Sequence, residues 1–211
     1  MLFQNLDSVL YLFDLLGVAV FAIRGALSAG RKGLDLLGVI VISIVTSIGG
    51  GTIRDVLLGH HPIFWIKDPT YVLIIIIASV FTLFYIRFNK PPFNALLIAD
   101  AIGLAFFTIT GTQIAESAGL HPILIIIMGT ITGTAGGVLR DVLSAEIPLI
   151  LKRDIYATAA ISGSIVYLLA EFVDIPNLYS ALLGIITVVI LRALAIIWGI
   201  RLPVFKLSDD N

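Results

Sequence analysis

Two segments of the chain place several glycines just before an arginine and an aspartate. They are Ser47-Ile48-Gly49-Gly50-Gly51-Thr52-Ile53-Arg54-Asp55 and Thr132-Gly133-Thr134-Ala135-Gly136-Gly137-Val138-Leu139-Arg140-Asp141. Each glycine weakens a helix by about 1 kcal/mol relative to alanine, so the runs predict interruptions in two otherwise continuous apolar helices. In lipid an interrupted helix leaves N–H and C=O groups without partners, which is tolerated only where protein or a water-filled cavity satisfies them. Freed carbonyls near residues 49–51 and 133–137 would replace part of a cation's hydration shell, and the N-termini of the half-helices that follow would attract anions. The hydroxyls of Thr46, Ser47, Thr52, Thr132 and Thr134 would hold water beside them. The other reading is close helix packing through small residues. Repetition of the run beside intramembrane charges favours the cavity.

Charges inside apolar spans are costly and usually face the bundle interior. Here they are Asp14, Arg24, Arg54, Asp55, Asp100, Arg140, Asp141 and Arg192. Depth in the spans predicts Asp14 with Arg54 and Asp100 with Arg140. Arg54 and Asp55 point about 100° apart on one helix, which argues against their satisfying one another. Arg54 and Arg140 either line two mouths of a conduit or snorkel to headgroups. Arg24 and Arg192, near span ends, read as anchors. His60, His61 and His121 fall at span ends with no carboxylate at a helical metal spacing, so no metal site is expected. The aromatic residues near the spans, among them Phe64 and Trp65, are assigned no function.

Composition supplies the frame for these residues. The chain has 211 residues, is 59% hydrophobic and 13% charged, and has a mean hydropathy of +1.09. A span takes roughly 20 apolar residues, and the apolar stretches fall at about 8–29, 34–59, 70–88, 94–114, 120–145, 155–172 and 178–200. That predicts an all-α membrane protein of seven transmembrane helices in one domain, with nothing cleaved from the N-terminus. Arg31, Lys32, Arg87, Lys90, Lys152, Arg153, Arg201 and Lys206 fall on one side, and Lys67 alone on the other. The N-terminus is therefore expected outside and the C-terminus in the cytoplasm. Cysteine is absent, which removes disulfides and thiolate sites, and a net charge of -1 indicates no nucleic-acid partner.

An internal repeat organises the spans. A shift of 86 residues carries Asp14 onto Asp100, Gly17 onto Gly103, Phe21 onto Phe107 and Gly25 onto Gly111 without a gap. The same shift carries Gly50-Gly51 onto Gly136-Gly137, Arg54-Asp55-Val56-Leu57 onto Arg140-Asp141-Val142-Leu143, and Asp68 onto Asp154. Three spans, an odd number, separate the copies, so the second enters the membrane from the opposite face. The repeats run over about 8–92 and 94–177. The span at 178–200 has no mate and is expected to serve packing and assembly.

Two glycine runs, each followed by Arg-Asp-Val-Leu, on a three-plus-three-plus-one plan are similar to the prokaryotic members of the trimeric intracellular cation channel (TRIC) family. Bacterial proteins of this kind also carry a glycine transporter domain label. The resemblance implies a homotrimer in the inner membrane, with one pore per protomer and bent second and fifth helices around it. It also implies permeation by monovalent cations, favouring potassium, with sodium also possible, and no cofactor. Membrane lipid is the remaining expected partner. The second run reads Ala135-Gly136-Gly137 where three glycines are expected, so the halves need not be equivalent. The leading expectation is passive cation conduction through an hourglass pore walled by spans one, two, four and five. The alternative is a carrier for a small zwitterion such as glycine, working by alternating access. An enzyme is disfavoured: the glycine runs lack the Gly-Lys-Ser/Thr ending of a phosphate loop, and no nucleophile–base pair or zinc motif is visible.

Overall fold

The computed structural model describes residues 2–89, 95–151 and 155–200, and among them there are helices and no strand. In chain order these are α1 (Leu2–Arg31), α2 (Leu36–Leu58), the short α3 (Phe64–Lys67), α4 (Thr70–Phe88), α5 (Ala95–Ser117) and α6 (Pro122–Leu143). A 3₁₀ turn (Leu149–Leu151) leads to α7 (Ala157–Phe172) and α8 (Asn177–Trp198). Every expected span corresponds to a helix within a few residues. Six are long and apolar enough to cross a bilayer, whereas α7, at 16 residues, is shorter. Lys90, Lys152, Arg153, Asp154, Arg201 and Lys206 lie outside the described residues.

The helix ends follow local chemistry. Asp35 caps α2 by accepting the Gly38 N–H at 2.7 Å, and Gly59 ends that helix in the left-handed conformation, φ 69°; such caps satisfy main-chain groups the helix itself leaves open. Pro122 opens α6, where its missing N–H costs nothing.

Helices α1, α2, α5 and α6 form the centre of the bundle, with α4 against α1 and α2, α7 against α5 and α6, and α8 against α5 and α7. Two reciprocal contacts hold the centre together. In the first, the Phe21 and Phe107 rings meet at a tilt of 53° with centroids 5.0 Å apart, and each ring lies over the glycine beside the other: Gly103 faces Phe21, and Gly17 faces Phe107. In the second, α2 crosses α6 so closely that a methyl group on Gly50 would collide with the Thr132 carbonyl, and one on Gly136 with the Thr46 carbonyl. In both cases the 86-residue shift exchanges the partners. A contact that maps onto itself under exchange of the two copies marks a two-fold relation between them.

The glycine runs correct one expectation. Residues 47–52 and 132–137 are helical throughout, inside α2 and α6, with no interruption. The cost of two or three glycines, about 1 kcal/mol each, is smaller than the several kcal/mol for each main-chain group left unpaired in lipid. The helices therefore stay closed, and the missing side chains are used for backbone-to-backbone approach. Outer faces are apolar: Phe81, Phe84 and Phe88 on α4 and Ile186, Ile190 and Ile197 on α8 are exposed.

Gly50→Ala and Gly136→Ala are each expected to destabilise the bundle by about 1–3 kcal/mol through overpacking against rigid backbone. Gly59→Ala, at a left-handed position with open space around it, tests strain without collision. Unfolding in mixed micelles would separate the two, and equal stability of Gly50→Ala and the native chain would remove the crossing from the explanation.

Candidate functional site

The intramembrane charges gather into two centres, one built on Asp14 and one on Asp100. Asp14 stands ten residues before Arg24 on α1, about 15 Å along the axis, and the two lie at different centres. The repeat relates the centres residue by residue, yet their contents differ.

At the Asp100 centre, the carboxylate is fully buried among three arginines. Arg140 NH1 lies 3.2 Å and Arg24 Nε 3.4 Å from Asp100 Oδ1, and Arg192 NH2 lies 3.9 Å from Oδ2. Arg140 also chelates its neighbour, with Nε and NH2 at 2.9 and 2.8 Å from Asp141 Oδ1. Arg192 donates to the Ile155 carbonyl at 3.1 Å and sits 4.9 Å over the Tyr156 ring. Asp100 with Arg140 is the expected pair. The anchor reading of Arg24 and Arg192 is corrected: they are 7% and 1% exposed and turn inward to the carboxylate. An isolated charge in the bilayer is costly, so an arginine whose helix presents it to a buried aspartate turns inward to it.

At the Asp14 centre, Tyr71 Oη donates to Asp14 Oδ2 at 2.8 Å, and Thr110 Oγ1 stands 3.4 Å from Oδ1. Arg54 turns away to Asp55, with Nε and NH2 at 2.9 and 2.7 Å from Oδ1. Two expectations fall here: Asp14 does not take Arg54 as its ion partner, and neighbouring Arg and Asp do satisfy one another, in both repeats. The arginine stem is long enough to bring its planar fork round the helix to the adjacent carboxylate. The freed second oxygen of each aspartate then caps the turn beyond the helix. Asp55 Oδ2 accepts the Phe64 N–H at 2.9 Å, and Asp141 Oδ2 the Leu149 N–H at 3.0 Å. Short helical turns are thus tied back to both dipeptides, and Phe64 lies 5.5 Å over the Arg54 guanidinium and against Gly51.

Arg24 and Thr110 occupy the same repeat position and reach across to the other copy's aspartate. Formal charge then separates the centres. Three arginines against Asp100 and Asp141 leave one positive charge, while Arg54 against Asp14 and Asp55 leaves one negative charge.

The remaining expected site residues lie at or near the crossing. Gly49, Gly50, Gly51, Gly133, Gly136 and Gly137 are all buried. Thr46, Thr52, Thr132 and Thr134 donate to the carbonyl four residues back at 2.6–2.7 Å, and Ser47 donates to the Val18 carbonyl at 3.1 Å. His60, His61 and His121 are exposed. Sequence reasoning missed Tyr71, Phe64, Tyr156, Arg24 and Arg192. For Arg24 the signal was present: its repeat position holds another polar residue, Thr110, opposite an aspartate. Outside the spans, hydrogen bonds from Thr70 and from the Tyr11 hydroxyl hold the Asp68 carboxyl below its ordinary pKa.

The same arrangement of helices occurs in proteins of known structure. A family model described as glycine transporter matches residues 11–87 and 97–171. The inner membrane protein YadS of Escherichia coli K12 is 42% identical over 205 residues, covering 96% of this chain and 99% of its own. The crystal structure of the TRIC trimeric intracellular cation channel orthologue from Rhodobacter sphaeroides superimposes with a TM-score of 0.87 at 39% identity, over 92% of this chain and all of that one. The chain belongs to the prokaryotic TRIC family. A further prokaryotic TRIC channel, crystallised in 0.5 M KCl, gives a TM-score of 0.86 at 35% identity over 92% of this chain and 98% of its own. A TRIC channel from Caenorhabditis elegans shares the fold at 14% identity.

In this TRIC protein, Asp100→Asn would leave three buried arginines facing only Asp141, and a loss of about 3–5 kcal/mol is expected. The exposed Lys32–Glu146 pair, at 2.8 Å, serves as reference: Lys32→Ala is expected to cost about 1 kcal/mol or less. Unfolding in mixed micelles measures both, and equal effects would mean that Asp100 does not hold the arginines.

Proposed function

We propose that this protein is a cation channel whose conduit runs within the protomer, between α1, α2, α5 and α6. The observation that carries the reading is full-length structural agreement with TRIC cation channels at 39–40% identity and TM-scores of 0.85–0.87. The placement of buried polar centres along the same four helices supports it. Carbonyls released by broken helices have no part in the reading, because α2 and α6 are continuous. The constriction is instead their crossing, where Gly50 meets Thr132 and Gly136 meets Thr46, and conduction needs the two helices to part or bend there. The glycines and the back-bonded threonines, which favour bending, make that movement cheap. Arg54 with Asp55 and Arg140 with Asp141 flank the crossing and set its electrostatics, and Asp14 and Asp100 complete the two polar centres.

The wider reading is one membrane domain of two inverted repeats with α8 added, seven spans in all, assembled as a homotrimer. Its N-terminus faces outward and its C-terminus the cytoplasm of an inner membrane. Potassium is the favoured ion, sodium a possible one, and no cofactor takes part. Membrane proteins of bacterial relatives, including an inner membrane protein, support the location, and the trimeric name of the Rhodobacter sphaeroides relative supports the assembly.

Planar bilayers holding the purified protein are expected to show unitary currents whose reversal potential follows the potassium gradient; saturable glycine uptake without such currents would replace the channel by a carrier. Because the chain has no cysteine, single-cysteine variants report topology cleanly. His60→Cys is expected to react with an impermeant maleimide in intact cells, and Arg31→Cys only after lysis. The reverse pattern would invert the orientation.

A further inference from the structure

A cavity of about 220 Å³ opens between α1, α4 and α5 at the Asp14 centre, lined by Tyr11, Asp14, Tyr71, Thr110, Gln113, Ile114 and Ser117. The hydroxyl hydrogens on its wall are committed. Tyr11 Oη donates to Asp68 at 2.6 Å, Tyr71 Oη to Asp14 at 2.8 Å, and Ser117 Oγ to the Gln113 carbonyl at 2.9 Å. Thr110 Oγ1 is shared between Asp14 at 3.4 Å and the Phe107 carbonyl at 3.5 Å. Gln113 spends one amide hydrogen on Asn177 Oδ1, 2.9 Å away. With the hydroxyl hydrogens committed, the polar part of an otherwise apolar wall offers the cavity mainly lone pairs and one carboxylate.

We propose that this cavity is a saturable binding site for a small monovalent cation, potassium or ammonium in size, with Asp14 as the counter-charge. The proposal deepens the channel reading and rests on it for an ion's route, which passes between α1 and α5 on the side away from α4, beside the cavity. A hard cation wants oxygen acceptors and a negative charge, and the wall supplies both. An anion or the carboxylate of a zwitterion wants donors, and the nearest arginine, Arg54, is turned to Asp55 and covered by Phe64. The volume, several times the roughly 30 Å³ share of one water, admits an ion that keeps part of its hydration shell. The Asp100 centre offers no equivalent: Arg24 fills the position of Thr110 and brings its own cation. The same fold thus holds a cation site in one copy and a built-in cation in the other.

The test is equilibrium binding of radioactive rubidium to the detergent-purified full chain, alongside Asp14→Asn, Ser117→Lys and, as a control on an exposed turn, Asp174→Asn. Saturable binding displaced by potassium and ammonium but not by glycine is expected in the native chain and in the control. In Asp14→Asn it is expected to weaken at least tenfold. Ser117→Lys places a tethered ammonium at the rim and is expected to abolish binding with Asp14 intact; if Asp14→Asn fails to fold, this variant decides. Native-like binding in the folded variants, displacement by glycine, or no saturable binding at all would overturn the proposal. Binding without unitary currents would sink the channel reading and leave the site. Currents without saturable binding would do the reverse.

Discussion

The contact of Gly50 with the Thr132 carbonyl, and its exchange partner between Gly136 and Thr46, is the point on which the rest of the molecule depends. Only hydrogen atoms in place of side chains let two helices meet backbone to backbone, and once they meet, the two repeats are fixed about a common axis. Phe21 and Phe107 then meet on that axis, Gly17 and Gly103 make room for the rings, and α4, α7 and α8 pack around the four central helices. Lipid supplies little drive for helices to associate, since its tails are as apolar as leucine. Close packing and buried polar pairs have to hold the bundle together, and both radiate from this crossing.

Much of this was legible in the chain. Span positions follow from apolar runs bounded by charge, Gly and Pro, and the 86-residue shift names the equivalent positions, Phe21 and Phe107 among them, that the structure then brings together. The Asp100–Arg140 pair follows from depth and the repeat, although the same reasoning misplaced Arg54 beside Asp14. What failed was the inference from glycine to a broken helix. A glycine run signals both weak helix propensity and permission for close approach, and sequence carries no term that separates them. The separation comes from the solvent: with no water to take up main-chain groups, a few kcal/mol of propensity cannot open the helix. The arginine partners were misread for a related reason. Helical angle places Cα positions, but a guanidinium on a flexible stem reaches well beyond them, so Arg54 finds Asp55 beside it and Arg24 finds an aspartate on another helix.

Pairing within the Arg-Asp dipeptide also explains the turns after α2 and α6. One carboxylate oxygen holds the arginine and the other holds the N–H of a returning turn, at Phe64 in one copy and Leu149 in the other. A single dipeptide thereby neutralises a buried cation and ties back the loop that follows. The two sequences between dipeptide and turn differ, yet the capping recurs, so the geometry belongs to the dipeptide rather than to the loop.

The exchange of Arg24 for Thr110 has a consequence for the molecule as a whole. The Phe21–Phe107 and glycine–carbonyl contacts recur when the copies swap, but formal charge does not, because one centre carries a surplus positive charge and the other a surplus negative one. The central contacts are shared between the copies, and the charge is not. A membrane potential acts on each surplus charge with up to about 2.3 kcal/mol per 100 mV, pulling the two centres in opposite directions.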